Sequence, residues 1–379
     1  MAIFKENAPH LRRKASVTRM MVDVLIALAP TLIFSFVVYQ LRALWVYLIS
    51  VSIMIGAEFV YVGLRNMMPA DGQKHSFKER FTYAYKGKFN QNNVLTAAIS
   101  AIIYMLIMPA GAPLYAVAIG ALAGIVLGKL VFGGLGSNIF NPAAVGMLFA
   151  KICFGGQYAA SVETWYYPVT DVTVAPTVLT NKVETGLNGL IANMGNSNLL
   201  DMFLGRMYGT LGEAFSITIL IGAVYLLIRR SADFRVMLPY LGSFAFFALI
   251  AGLGFYAVDG VTNPFQFTLF SLLSGGVLFG GVFMLTDPVT SPINSPSRII
   301  YALVAAVSTI FIRLFAALPE GVGFSILIAN MVACVLDHYE WSSSRYTWKK
   351  FLAMGLLVVI PAITIFLVIR FGGENIYHA

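Results

Sequence analysis

The chain has 379 residues, of which 59% are hydrophobic and only 11% charged, with a formal net charge of +8. That balance excludes a soluble protein of two or three domains, because apolar surface on this scale is hidden only in a bilayer, where the backbone must close its hydrogen bonds within helices or a barrel. Long unbroken apolar runs, not short alternating ones, decide for helices. The basic excess gathers at the ends of those runs, which argues for cytoplasmic loops of a membrane protein and against nucleic acid.

In chain order, residues 1–20 form a basic arm with Lys5, Arg12, Arg13, Lys14 and Arg19, without a cleavage site for a removable signal peptide. A span needs about 20 apolar residues. Candidates follow at Met21–Tyr39, Ala43–Leu64, Val94–Pro109, Leu114–Phe132 and Ile139–Phe154, a first membrane unit over 21–154. A polar insert occupies 155–212. A second unit over 213–337 holds Glu213–Ile228, Val236–Val258, Phe265–Leu285, Ile299–Leu318 and Gly321–Leu336, and the remainder, 338–379, ends in Phe351–Phe371. The fold class is therefore an all-α polytopic membrane protein of about ten to eleven transmembrane helices. Several spans are short and flanked by glycine or proline, as broken helices are.

Lysine and arginine counting sets the orientation. With the N-terminus cytoplasmic, the loops carrying Lys74, Lys78, Arg80, Lys86 and Lys88, then Arg229, Arg230 and Arg235, then Arg345, Lys349 and Lys350, all fall on the same side. The insert then faces the extracytoplasmic space.

A weak repeat runs through the two units. GSNIFNPAAVG (Gly136–Gly146) closes an apolar run in the first, and TDPVTSPINSPSR (Thr286–Arg298) does so in the second. Entering the membrane from opposite sides, the units would form an inverted repeat of five spans plus five, its Asn141-Pro142 and Asp287-Pro288 breaks meeting near the middle. Proline before or within a span frees backbone groups that protein, water or ligand must satisfy. Asn138, Asn141 and Asp287 are therefore candidates for an ion or cofactor path, with a plain turn at the membrane edge as the alternative. Asp23, Glu58 and Asp337 join them as acidic groups in or beside spans, where charge is costly; solvation at the interface is the alternative for Glu58 and Asp337. Cys153 and Cys334 lie in apolar runs, are too few for an iron–sulfur cluster, and read as small packed side chains; no metal site is expected.

Within the insert, DVTVAPT sets Asp171 six residues before Thr177. Nothing beside it activates the hydroxyl, so chemistry at Thr177 requires another protein.

Four segments together, APHLRRKASVTRMMVDVLIALAPT, GSNIFNPAAVG, GEAFSITILIGAVYLLIRRSADFR and TDPVTSP, resemble the D subunits of Rnf complexes, and the last three also resemble the B subunits of the sodium-pumping NADH:quinone reductase. The likeness runs in order over residues 8–345. It implies an inverted repeat similar to urea-transporter-like channels, with FMN esterified through its phosphate to a threonine by a separate extracytoplasmic flavin transferase. Laid on this chain, the motif assigns Asp171 as the recognition acid and Thr177 as the acceptor. Val174, Ala175 and Pro176 replace the family's hydroxyl residue, glycine and alanine, so Thr173 and Thr180 stand as alternative acceptors. A second, non-covalent flavin such as riboflavin is also implied, as is assembly with subunits A, B, C, E and G in a bacterial or archaeal inner membrane. The helix Phe351–Phe371 extends past the family pattern. The expected function is a membrane subunit of a ferredoxin:NAD oxidoreductase that pumps Na⁺ or H⁺. The alternatives are a quinone-reductase B-like subunit, a channel for a small solute, and a structural scaffold.

Overall fold

The computed structural model describes residues 17–67, 77–86, 88–155, scattered positions between 187 and 195, and then 198–206, 209–316, 321–338, 341 and 343–372. Thirteen helices are described: α1 (Val17–Asn66), α2 (Phe77–Tyr85), α3 (Gln91–Ile107), α4 (Leu114–Ile125), α5 (Pro142–Cys153), α6 (Leu199–Leu204), α7 (Ser216–Arg229), α8 (Phe234–Asp259), α9 (Pro264–Leu273), α10 (Val277–Phe279), α11 (Ser295–Phe315), α12 (Val322–Leu336) and α13 (Trp348–Phe371). Among the described residues there is no strand, only an isolated antiparallel bridge between Pro109 and Thr210. Four helices, α1, α8, α11 and α13, are long and apolar enough to cross a membrane. The bent pair α9–α10 with its following turn, at 64°, makes a fifth. The chain is thus a multi-pass, all-helical membrane protein. The single run expected over Phe265–Leu285 is broken, because Gly275 at φ 64° and Gly276 interrupt it after the α9 cap at Ser274.

Helix α1 is two arms. Gln40 sits at φ 47°, ψ −127°, outside any helical region. A straight helix would put Thr18 and Glu58 about 60 Å apart at 1.5 Å per residue. Instead Thr18 donates to Asn92 at 2.7 Å while Glu58 accepts from the neighbouring Asn93 at 3.1 Å, and Arg42 donates to the Ala110 and Ala112 carbonyls at the other end of α3. The chain therefore reverses at Gln40, and the arms 17–39 and 41–66 match the first two expected spans.

Interhelical contacts then order the bundle. Arm 17–39 runs antiparallel to α7, with Asp23 against Arg229 and Ser231, Thr31 against Thr218 (3.0 Å), and the Phe34 ring against Phe215 (4.7 Å). Tyr240 of α8 meets Thr309 of α11 at 3.2 Å, and Thr309 donates onward to Ser325 of α12 at 2.7 Å. Without a hydrophobic force between helices in lipid, such hydroxyl pairs and close backbone approach hold spans together. The closest approach uses Gly120, Gly124 and Gly128 on one face of α4 and its extension. A Cβ on Gly124 would lie 2.6 Å from the Pro142 carbonyl oxygen, and one on Gly146 of α5 would lie 2.6 Å from the Gly120 carbonyl oxygen. Helix α13, beyond the second unit, packs Ile369 against Gly254 of α8.

Cys153 and Cys334 are exposed on the outside of the bundle rather than packed within it, a correction to the sequence expectation. An apolar run in a membrane bundle has a lipid-facing side as apolar as its core, so hydrophobicity around a cysteine does not say which way it faces.

Candidate functional site

Two π-turns stand out among the described residues. Val126–Leu130 extends α4 and Gly280–Met284 extends α10, and each runs into a polar turn followed by a proline-started helix. A π-turn loosens the backbone ladder, and a helix end leaves carbonyls without intrahelical partners. One of these is the Met284 carbonyl.

Asn141 caps α5: its side-chain oxygen accepts from Ala143 N (3.0 Å) and Ala144 N (3.4 Å), with Pro142 in the first turn, where its missing N–H costs nothing. Its amide nitrogen donates to the Met284 carbonyl at 3.3 Å, across 143 residues of sequence. The two breaks thus touch directly. Asn330 of α12 completes the junction: with its amide assigned in the orientation that gives both ends complementary partners, its oxygen accepts from Asn141 N (3.0 Å) and its nitrogen donates to the Tyr301 hydroxyl (3.0 Å) and the Ile326 carbonyl (3.3 Å). Tyr301 also reaches the Thr290 side chain, in the turn that follows Asp287. Asp287 is half-buried and organises that turn, accepting from Val289 N at 3.1 Å and from the Thr290 hydroxyl at 3.4 Å. Asn138 is buried and donates to the Phe140 carbonyl at 3.3 Å, shaping the turn before α5.

Glu58 is 1% exposed and so is not solvated at an interface. Its Oε1 accepts from Asn93, and its Oε2 lies 3.0 Å from the ammonium of Lys129, which is itself 2% exposed. Lys129 also donates to Thr96 at 3.0 Å and lies within electrostatic range of Asp287. An ion pair this deep is costly to dehydrate and survives only when its remaining valences are met.

Asp23 and Asp337 lie apart from this cluster. Asp23 is clamped by Ser231 (2.6 Å), Arg229 (3.1 Å) and Tyr225 (3.2 Å), fastening arm 17–39 to the α7–α8 turn. Asp337, half-buried at the end of α12, accepts from Ile293 N at 3.0 Å and pins the turn that Asp287 begins. Asp171 and Thr177 lie outside the described residues, with Thr173 and Thr180.

Sequence reasoning misses Lys129. Its signal is a lysine inside GIVLGKLVF, with apolar residues on both sides, where an ionisable group is functional by default. Tyr301 and Asn330 give no such signal.

This arrangement of paired π-turns, touching breaks and a buried ionic cluster can be set beside known proteins. Residues 4–344 match the model of the NQR2, RnfD, RnfE family. The chain belongs to that family. Among its relatives, the D subunit of the Na⁺-translocating ferredoxin:NAD⁺ oxidoreductase complex of Acetobacterium woodii is 30% identical over 88% of this chain and 92% of its own. The D subunit of the proton-translocating ferredoxin:NAD⁺ oxidoreductase complex of Clostridium ljungdahlii is 29% identical over 88% of this chain and 93% of its own. The B subunit of the Na⁺-translocating NADH-quinone reductase of Chromohalobacter salexigens is 37% identical over 64% of this chain, which spans only 57% of that relative. Family membership covers every element from α1 to α12, while α13 lies past the matched residues.

Proposed function

We propose that this chain is the membrane subunit of an electron-transfer-driven cation pump of the Rnf type. The complex passes electrons between reduced ferredoxin and NAD and moves Na⁺ or H⁺ across a cell inner membrane, with subunits A, B, C, E and G as partners. The observation that carries the reading is the buried Glu58–Lys129 ion pair, which lies within electrostatic range of Asp287. A scaffold gains nothing from charges that cost several kcal/mol to dehydrate, whereas an ion path requires them. The near full-length correspondence with two ferredoxin:NAD⁺ oxidoreductase subunits, against 57% of a quinone-reductase subunit, favours the Rnf type. The 37% identity to the latter supports the quinone-reductase B-like role as the second reading.

In this reading the spans form an inverted repeat of five plus five, urea-transporter-like, with an added C-terminal helix. The arms of α1 pair with α7 and α8, and each π-turn is the counterpart of the other. The N-terminus is cytoplasmic and 155–212 lies on the outer side, where a flavin transferase esterifies the Thr177 hydroxyl with the phosphate of FMN and Asp171 is part of the sequence it reads. Once bound, the flavin supplies a one-electron relay, and a second, non-covalent flavin such as riboflavin accompanies it. The chain's own share is to hold the junction: Asn141, Asn330 and Tyr301 tie the two breaks, so that displacement of one is felt by the other. A solute channel accounts for the paired breaks but not for buried charge.

The test is ultraviolet fluorescence of the denatured protein after co-expression with the transferase. The wild type glows in the gel and Thr177→Ala does not. A dark wild type would favour the channel, and a fluorescent Thr177→Ala would move the attachment to Thr173 or Thr180.

A further inference from the structure

Arm 41–66 carries an apolar groove and, on the adjoining face, a basic pocket, and neither uses a residue of the buried ionic cluster. The groove, of about 730 Å³, runs between the arm and α4 with its extension. Ser52, Gly56, Val60 and Leu64 line it from the arm, and Ile119 and Leu122 from α4; only Ser52 and Tyr61 among its lining residues bear a polar group. It opens to the outside of the bundle, where Val60 is 55% and Leu64 70% exposed and where a Cβ on Gly56 would meet nothing within 4 Å. At 1.5 Å per residue, the stretch from Ser52 to Leu64 is about 18 Å long. That is close to half of the roughly 30 Å hydrocarbon core, the depth of one leaflet.

The end of the arm is ringed with positive charge. Arg65, exposed in its last turn, donates to the Gly133 carbonyl at 2.7 Å, two residues past the groove-lining Val131. Helix α2 lies against the next face. Its Tyr85 stacks on Phe59 at 4.3 Å and donates to the Phe59 carbonyl at 3.3 Å, and Gly63 leaves room for the hydroxyl. Phe59 and Gly63 sit in the same turns as Val60 and Leu64, within about 100° of them around the helix. A pocket of about 500 Å³ is lined by Lys78, Lys86, Lys88, Glu79, Thr82 and Tyr83. The Lys88 ammonium lies 3.6 Å from the centre of the Tyr83 ring, a cation–π contact that holds it at the pocket. Positive charge that only sets topology need not converge. Here three ammonium groups line one pocket with a single acid, and an anion among them offsets their repulsion.

We propose that arm 41–66, α2 and α4 bind one anionic phospholipid, its acyl chain in the groove and its phosphate among Lys78, Lys86 and Lys88. The lipid belongs to the leaflet that carries α2, the cytoplasmic one in the orientation proposed above. The apolar groove supplies affinity for any chain of the right length, and the lysines supply the preference for negative charge. The bound lipid joins α2 to the arm alongside the Tyr85 contacts.

The experiment titrates the full-length chain, purified in detergent, with phosphatidylglycerol or with phosphatidylcholine of identical chains, and counts the complexes by native mass spectrometry. Phosphatidylglycerol should bind about tenfold more tightly or better. A lysine near the head group contributes about fivefold to binding an anionic lipid. Lys86→Gln/Lys88→Gln should therefore weaken phosphatidylglycerol about 25-fold and leave phosphatidylcholine unchanged. Gly56→Phe places a ring in the groove and should weaken both lipids about fivefold or more; the lysine pair decides the matter if that variant does not purify as a monodisperse species. Glycerol phosphate and inorganic phosphate, which lack chains, should not displace phosphatidylglycerol at matched concentration. Displacement by either would make the pocket a site for free phosphate and overturn the lipid assignment. Equal binding of the two lipids, wild-type phosphatidylglycerol binding by the lysine variant, or wild-type lipid binding by an intact Gly56→Phe would each overturn it as well.

Discussion

Replacing Gly124 with alanine tests whether the junction depends on how closely α4 and α5 approach. The added Cβ would lie 2.6 Å from the Pro142 carbonyl oxygen and 2.9 Å from Gly146 Cα, both backbone atoms that cannot rotate away. Restoring an ordinary contact of 3.4 Å requires the helices to part by about 0.8 Å. Overpacking of this kind costs about 1–3 kcal/mol. The displaced α5 also begins at Asn141, whose bond to Met284 is already 3.3 Å and has little room to lengthen. Its loss adds about 1 kcal/mol, for a total of about 2–4 kcal/mol. Gly56→Ala is the control, since a Cβ there meets nothing within 4 Å, and it should stay within about 0.5 kcal/mol of wild type. The assay is the thermal midpoint of the detergent-purified protein, read by size exclusion after stepwise heating. Gly124→Ala should lose its monodisperse peak well below the temperature at which Gly56→Ala does. If the two variants melt together, close glycine packing does not hold the junction and the account of Asn141 fails with it.

Asp23→Asn should lower the same thermal midpoint, because the buried carboxylate loses the charge that strengthens its bonds from Ser231 and Arg229. Cation dependence of turnover should stay unchanged, since Asp23 lies apart from Glu58; a shifted Na⁺ dependence would place Asp23 in the path instead. Ending the chain after residue 344 removes α13, which packs on α8 and lies past the family match. The truncated chain should still purify as a monodisperse species, because lipid or detergent can cover the apolar face of α8. Aggregation on truncation would mean that α13 completes the bundle.

Much of the bundle is legible in the amino-acid order. The arms of α1, α4 with its extension, and helices α3, α5, α7, α8, α11, α12 and α13 begin and end within a few residues of the apolar runs. In lipid, length and hydrophobicity are nearly the whole requirement for a helix, and capping signals such as Asn141-Pro142 and Asn263-Pro264 mark where one starts. The order also singles out Glu58, Asn141 and Asp287, because charge and proline are conspicuous in an apolar chain. It does not say which of these residues meet. Asn141 and Met284 are 143 positions apart, and only packing brings the side chain of one to the carbonyl of the other. Nor does it distinguish Asp23, absorbed by a clamp of three donors, from Glu58, held by a lysine that also senses Asp287. Periodicity cannot tell the lipid side of a span from its core side, which is why the two cysteines face outward against expectation. The sequence by itself determined that the chain is a bundle of apolar helices interrupted at two polar turns, because the bilayer allows little else. Tertiary structure alone decided that the interruptions touch and that Glu58 closes on Lys129, because the free energy of a buried charge depends on neighbours the chain brings from afar.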